Sequence, residues 1–299
     1  MAKSLFFSLI LAAAASAAPS AHTRSGVTTM SGSQVSSYTP YAEFSRAAYC
    51  SGTDTWNCGA ACEALSGFVP YLTGGDGDGT PHFYVGYWPS GDTAVIVHEG
   101  TDPTKLLSDL TDEDFLLTDL DPTLFPGLSA IGIQAHNGFH GTQAVTAPAI
   151  LAAVKQIISE RHVSTVTCVG HSLGGAIALL DGMFMRIQLP SSIHVKVVTH
   201  GMPRVGNQDL ANWVDENITD LAHITNMHDV VPIVPGRGLG FHHPSNEKHI
   251  LSGDDWVACS GQDNTDPSCI VGAVPNLLAG NVIDHLGPYH GVMMGTLSC

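Results

Sequence analysis

The segment Gly170-His171-Ser172-Leu173-Gly174-Gly175 limits what this chain can fold into more than any other stretch. It fits the pattern G-x-S-x-G and stands between residues 164–169, short and apolar like a buried strand, and residues 173–188, which read as a helix. Glycines on either side of a serine at such a junction remove the side chains that would collide where strand and helix meet. The sharp turn then lifts the Ser172 hydroxyl above the sheet edge, exposed to a base and to a substrate. Strands are also expected over 93–98, 194–199 and 221–225, and a helix over 142–161 with Ile150, Val154, Ile157 and Ile158 on one face. This alternation predicts an α/β domain with a mostly parallel central sheet and helices on both faces. No repeat and no linker divides the chain, so residues 38–299 are expected to form one domain.

A serine hydroxyl is a weak nucleophile and needs a histidine oriented by a carboxylate; in this kind of fold both lie downstream, carboxylate first. Asp229, in Asn226-Met227-His228-Asp229-Val230-Val231-Pro232, directly follows a predicted strand, where strand ends present functional groups. Asp209, Asp215 and Glu216 lie on a polar helical stretch, and Asp254, Asp255 and Asp263 in a polar loop. Of 16 histidines only His285 and His290 fall near the C-terminus. His285 precedes a Gly-Pro turn and is the expected base, with His290 the alternative. Negative charge developing on a carbonyl oxygen needs donors facing it. The Leu173 amide supplies one, and Thr101, at the end of Val95-Ile96-Val97-His98-Glu99-Gly100-Thr101, supplies the other. Thr101 could equally cap a helix that starts at Asp102-Pro103.

Composition narrows the function. Lys and Arg number 11 against 27 Asp and Glu, a net charge of -16, which leaves no basic face for nucleic acid or anionic membranes. Charged residues make up 13 %, about half the ~25 % usual for soluble domains, which suits contact with a neutral, apolar interface. Residues 1–17, with Lys3, an apolar run and Ala15-Ser16-Ala17, read as a secretory signal peptide, and residues 18–37 as a flexible lead-in. No stretch reaches the ~18 apolar residues of a membrane span. The expected product is a secreted monomer. Its 7 cysteines imply disulfides and one thiol left over, which is Cys168 in the apolar run Val166-Thr167-Cys168-Val169; the other six allow fifteen pairings. Asn217-Ile218-Thr219 is a glycosylation sequon. Metal chemistry is the rival for so many histidines. His98-Glu99 opens like H-E-x-x-H, but Asp102 takes the fifth position; His242-His243 and His136-x3-His140 lack a third ligand, and Asp76-Gly77-Asp78-Gly79 is too short for a calcium loop. No metal site is expected.

Taken together, these motifs resemble the secreted fungal lipases of class 3. The resemblance runs from Phe44-Ser45-Arg46-Ala47-Ala48-Tyr49-Cys50 to Cys299. Its further marks are His136-Asn137-Gly138-Phe139, residues 170–176, Gly201-Met202-Pro203-Arg204-Val205-Gly206-Asn207, and residues 226–232. It implies the α/β-hydrolase fold, a triad on Ser172, Asp229 and His285, an oxyanion hole on Thr101, and disulfides joining Cys50 to Cys299, Cys58 to Cys62 and Cys259 to Cys269. It also implies a lid after Thr101. Residues 102–128 suit one, with Leu106, Leu107, Leu110, Phe115, Leu116, Leu117, Leu120, Leu124 and Phe125 interleaved with acids. Two departures touch the pocket wall. The usual aromatic-Arg-Gly-Ser/Thr is His98-Glu99-Gly100-Thr101, and His-Leu-x-aromatic-Phe-Gly becomes His285-Leu286-Gly287-Pro288-Tyr289-His290-Gly291.

The function so implied is an extracellular acylglycerol lipase that needs no cofactor and acts on neutral lipid esters at an oil-water interface. The alternatives are a feruloyl-type esterase for soluble substrates and an inactive hydrolase fold used for binding.

Overall fold

Short runs of β-branched residues separated by two long helices build the frame of this protein. The computed structural model describes residues 26–77, 79–101 and 115–299. The strands are β1 (Val27–Thr29), β2 (Val69–Gly74), β3 (Phe83–Trp88), β4 (Thr93–His98), β5 (Leu117–Asp119), β6 (Gln134–His136), β7 (Thr165–His171), β8 (His194–His200), β9 (Gly206–Asn207), β10 (Asp220–Asn226), β11 (Phe241–His242), β12 (Glu247–Ser252) and β13 (Asp255–Cys259). Nine form one sheet in the order β1-β13-β12-β10-β8-β7-β4-β3-β2. Its centre, β4, β7, β8, β10 and β12, is parallel, and the flanking pairs are antiparallel. A small second sheet runs β11-β9-β6-β5. This is the α/β-hydrolase fold.

Central strands are covered on both faces, so they read as continuous apolar runs; every residue of β4 is buried. Helix Leu173–Gln188 is buried all along residues 174–185, sandwiched between the sheet and helix Asn137–Arg161. The latter begins five residues ahead of the predicted start, because Asn137-Gly138-Phe139 already coils and buries Phe139. Three buried polar groups pin these layers together. His98 Nε2 donates to Asp181 Oδ2 at 2.7 Å, and Gln143 Nε2 donates to Asp181 Oδ1 at 2.9 Å. His98 therefore serves the core, and Glu99 accepts the His82 amide at 3.1 Å; neither is part of a zinc helix.

The structure corrects two expectations. Residues 26–37, expected to belong to a flexible lead-in, are ordered. β1 pairs antiparallel with β13, Val27 is buried, and Ser31 and Gln34 form a capping box on helix Gly32–Ser36. A three-residue strand with two exposed threonines carries too little pattern to be seen in the sequence. The expected lid over 102–128 also reaches too far. β5 lies within it, and Leu120, Phe125 and Leu128 are buried in the main core, so that part of the apolar stripe is packing rather than flap. Residues 102–114, like the expected signal peptide over 1–17 and residues 18–25, lie outside the described residues.

Disulfides join Cys50 to Cys299, Cys58 to Cys62 and Cys259 to Cys269, and Cys168 is free and fully buried in β7. Burial pushes its thiol well above the usual range. Asn217 ends helix Gln208–Asn217 and is exposed, its side-chain amide donating to the Trp213 carbonyl at 2.8 Å.

Candidate active site

β7 ends at His171 and helix Leu173–Gln188 begins at Leu173, which leaves Ser172 to turn the chain alone, at φ 57° and ψ -130°. A non-glycine residue at positive φ is strained, and such strain collects at functional positions. Gly170 and Gly174 make the turn feasible: a Cβ on Gly170 would stand 2.2 Å from the Gly174 carbonyl oxygen, and one on Gly174 2.2 Å from that of His98. The Ser172 amide donates to His200 O at 2.9 Å, which fixes the elbow to β8.

Ser172 is 2 % exposed. The residue expected to stand open is buried. Gly100 packs against it, where a Cβ would lie 2.8 Å from Ser172 Cβ and 2.4 Å from Tyr49 Oη. Thr101 follows, half-buried, and Leu173 occupies the first position of the helix, where backbone amides have no partner within the helix. Both expected oxyanion donors thus stand at the nucleophile's edge of the sheet.

Asp229 follows β10 and is fully buried. Its Oδ1 accepts the Val231 amide at 2.9 Å, and its Oδ2 accepts His285 Nδ1 at 2.8 Å. Burial pushes the Asp229 carboxyl up, against the opposing pull of His285. His285 is itself buried, and its Nε2 has no hydrogen-bond partner among the described residues. A histidine that gives one nitrogen to a carboxylate and keeps the other unpaired is arranged to accept a proton. Its ring lies 4.4 Å from that of His171, the residue just before Ser172, tilted by 34°. His290 goes elsewhere: its Nδ1 bonds Thr39 Oγ1, and its Nε2 faces Asp254 at 3.7 Å. Asp215 bonds Ser245, and Asp263 pairs with Arg204 and lies 3.4 Å from His242 Nδ1, so neither is the partner of His285.

Several supporting residues escaped the sequence reading. Tyr49 Oη donates to His171 Nδ1 at 2.6 Å, and His171 Nε2 donates to the His285 carbonyl at 2.8 Å. Acceptance at Nδ1 requires a neutral imidazole, and burial with other histidines nearby lowers the pKa of His171 well below its ordinary value. Tyr289 Oη donates to the same carbonyl at 3.1 Å. Gly201, at φ 56°, leaves the room that the His285 ring occupies. Arg204 holds the loop beyond Asp229. Its Nη1 donates to the carbonyls of Ile233 and Pro235, and its Nε to Asp263 Oδ1 at 2.8 Å. Tyr49 and Arg204 stand in two of the stretches that carry the resemblance; nothing in their spacing disclosed these roles.

Among the described residues, the group of histidine, cysteine and acidic side chains close enough to share an ion is Glu247 with Cys259 and Cys269. Both sulfurs are tied in a disulfide and cannot act as thiolate ligands.

The sequence pattern of the family described as lipase (class 3) matches residues 95–239. A secreted mono- and diacylglycerol lipase of Malassezia globosa is 33 % identical over 204 residues, 67 % of this chain and 65 % of the relative. A second from the same organism is 34 % identical over 223 residues, 73 % of this chain and 71 % of the relative. Among solved structures, lipase II from Rhizopus niveus superposes with a TM-score of 0.79 at 27 % identity, covering 90 % of this chain and 99 % of that one.

Proposed function

The chain belongs to the class 3 lipase family, and from that premise we propose that it is a secreted serine ester hydrolase cleaving neutral acylglycerols at an oil-water interface. Ser172 Oγ attacks the ester carbonyl while His285 Nε2 takes its proton and then returns it to the leaving alkoxide. Asp229 holds His285 in the tautomer with Nδ1 protonated and stabilises the imidazolium. Thr101 and the Leu173 amide bind the oxyanion. Water, activated by the same imidazole, then hydrolyses the acyl-enzyme. One observation supports this reading: the Asp229–His285 pair is buried and 2.8 Å long, and the His285 ring lies 4.4 Å from that of His171, the residue before the strained elbow at Ser172.

Apolar side chains around the base support a lipid substrate. Ile283 is exposed two residues before His285, Leu277 and Leu278 lie in the loop leading to it, and Leu278 is 98 % exposed. A cavity of about 390 Å³ beyond Asp229 is lined mostly by apolar side chains, Phe115, Ile233, Leu239 and Val271 among them, with Arg204 and Arg237 also at its wall; an acyl chain suits the apolar part. The -16 charge disfavours anionic surfaces and leaves neutral lipid as the partner. Among the described residues, no helix is long and apolar enough to cross a membrane. Enclosure of Ser172 means that turnover requires its cover to move, as it would where apolar groups can exchange water for oil. Residues 1–17 act as the export signal, and exposed Asn217 accepts a glycan.

Purified enzyme assayed on triglyceride, monoglyceride and methyl ferulate, each taken through its solubility limit, tests the reading. Glyceride cleavage that rises once an emulsion forms is expected. Preference for methyl ferulate, with no rise, would instead identify an esterase for soluble substrates.

A further inference from the structure

Acid and base reach each other from two loops whose residues lie 56 apart in the chain. Asp229 sits in the turn that follows β10, and His285 in the short helical turn Ile283–Leu286. One hydrogen bond between side chains returns less than the entropy lost in ordering two loops, so further contacts must set their register.

Those contacts converge on Asp284, directly before the base. Its Oδ2 accepts the amide of His228, the residue directly before the acid, at 3.0 Å. Its carbonyl accepts Nδ2 of Asn226, the last residue of β10, at 2.7 Å. Its Oδ1 accepts Nδ2 of Asn281 at 2.9 Å, and the Asn281 amide donates in turn to the His228 carbonyl at 2.6 Å. Asn281 and Asp229 thereby form a parallel bridge one residue long, which lays the loop of the base alongside that of the acid.

Acceptors, rather than charge, are what Asp284 contributes. Burial pushes the Asp229 carboxyl up, and the Asp284 carboxylate adds to that push. A carboxylate nonetheless suits this place, because its two oxygens take two N–H groups at once and bonds to a charged acceptor are the strong ones. Asn226 is fully buried, and its Oδ1 has no partner among the described residues, so the bond from its Nδ2 to Asp284 is the one its side chain makes there. From the other direction, His171 and Tyr289 bond the His285 carbonyl. Those bonds tie the base to the elbow, whereas Asp284 ties it to the acid.

We infer that Asp284 is a positioning residue for ester hydrolysis: it clamps the loop of the base onto the loop of the acid and so sets where the His285 imidazole stands when Ser172 attacks. It touches no substrate and moves no proton. This rests on the assignment of Ser172 and His285 above and adds what keeps His285 in register with Asp229.

A double-mutant cycle on a soluble p-nitrophenyl ester tests the clamp. Asp284→Ala removes both carboxylate bonds and should lower kcat about 10- to 30-fold with KM within about twofold, since a misplacement of about 1 Å can cost 10²-fold and the bond from Asn226 limits the shift. Asp284→Asn keeps an acceptor for the His228 amide and should recover most of that loss. In a His285→Ala background, Asp284→Ala should change the residual rate less than about twofold, because the group it positions is gone. Asp215→Ala is the structural control. Asp215 accepts the Ser245 amide at 2.8 Å and the Ser245 hydroxyl at 2.7 Å, so its loss should lower the urea midpoint and leave kcat unchanged. Asn281 is exposed, and Asn281→Ala should lower kcat about two- to fourfold; it decides the question where Asp284→Ala does not fold. Wild-type kcat in folded Asp284→Ala or, failing that variant, in Asn281→Ala would overturn the clamp and leave the triad intact. So would a change confined to KM, or an equal factor in both backgrounds. Turnover that survives His285→Ala undiminished would overturn the assignment of the base, and the clamp with it.

Discussion

Replacing Gly201 by alanine tests where the base sits. A Cβ there would stand 2.7 Å from His285 Cε1, 2.7 Å from Tyr289 Oη and 2.8 Å from His285 Nδ1. Carbon contacts are comfortable from about 3.5 Å, so the imidazole must yield by roughly 0.7 Å. Asp229 and the bonds to the His285 carbonyl resist that shift. A misplacement of about 1 Å can cost 10²-fold in rate, so kcat on a short soluble ester should fall about 30- to 100-fold with little change in KM. Stability should fall as well, by roughly 1–2 kcal/mol for the backbone, because φ is 56°, and a further ~1–3 kcal/mol for the overlap. Gly253→Ala is the control: its φ is 51° but a Cβ meets nothing within 4 Å, so only the backbone cost of about 1–2 kcal/mol should appear, with normal turnover. Steady-state kinetics and urea unfolding on both variants separate strain from displacement. Wild-type kcat in Gly201→Ala, alongside the expected loss of stability, would refute the placement of His285 as the base.

Three other outcomes follow from the same geometry. Arg204→Met should cost about 3–5 kcal/mol in urea unfolding, because it strands the buried Asp263 carboxylate and frees the Ile233 and Pro235 carbonyls; adding Asp263→Asn should restore part of the loss. Burial lowers the pKa of His200 and His243 to about 3 and of His136 and His249 to about 4. Each binds fewer protons folded than unfolded, so the urea midpoint should hold above about pH 6.5 and decline below it, at roughly 1.4 kcal/mol per pH unit for each histidine. Glu247, raised to about 7, works the other way between its unfolded pKa and 7 and offsets about one of the four; an unchanged midpoint from pH 7 to 5 would contradict this. Replacing the Cys50–Cys299 pair, 249 residues apart, should lower stability by about 5 kcal/mol, against about 2 kcal/mol for Cys58–Cys62, 4 apart; equal losses in thermal unfolding would count against the loop-entropy account.

The elbow was legible because it obeys strong local rules: a β-branched run, glycines at fixed offsets, and a long apolar helix. β4 and helix Leu173–Gln188 have the predicted bounds, and β7, β8 and β10 differ from prediction by one or two residues at an end. Asp229 was legible from its place after a strand, and His285 from the order of groups along the chain. β1 was not, because two of its three side chains face solvent and its stability comes from β13, more than 200 residues away. Leu120 and Phe125 misled for the opposite reason, since an apolar stripe beside acids looks the same whether it packs on a core or on oil. The bonds that link Tyr49, His171 and His285, and those from Arg204 to Ile233 and Pro235, are set by tertiary packing alone. The burial of Ser172 belongs to the same class, because no local pattern encodes it.

Covalent labelling reaches the centre of this account in one step. A fluorophosphonate should add once per chain, on Ser172, as read by intact mass and peptide mapping, and the adduct should be absent in Ser172→Ala and form at least 10³-fold more slowly in His285→Ala but not in His290→Ala. A chain left unlabelled, an adduct on another residue, or full labelling speed without the imidazole of His285 would contradict it.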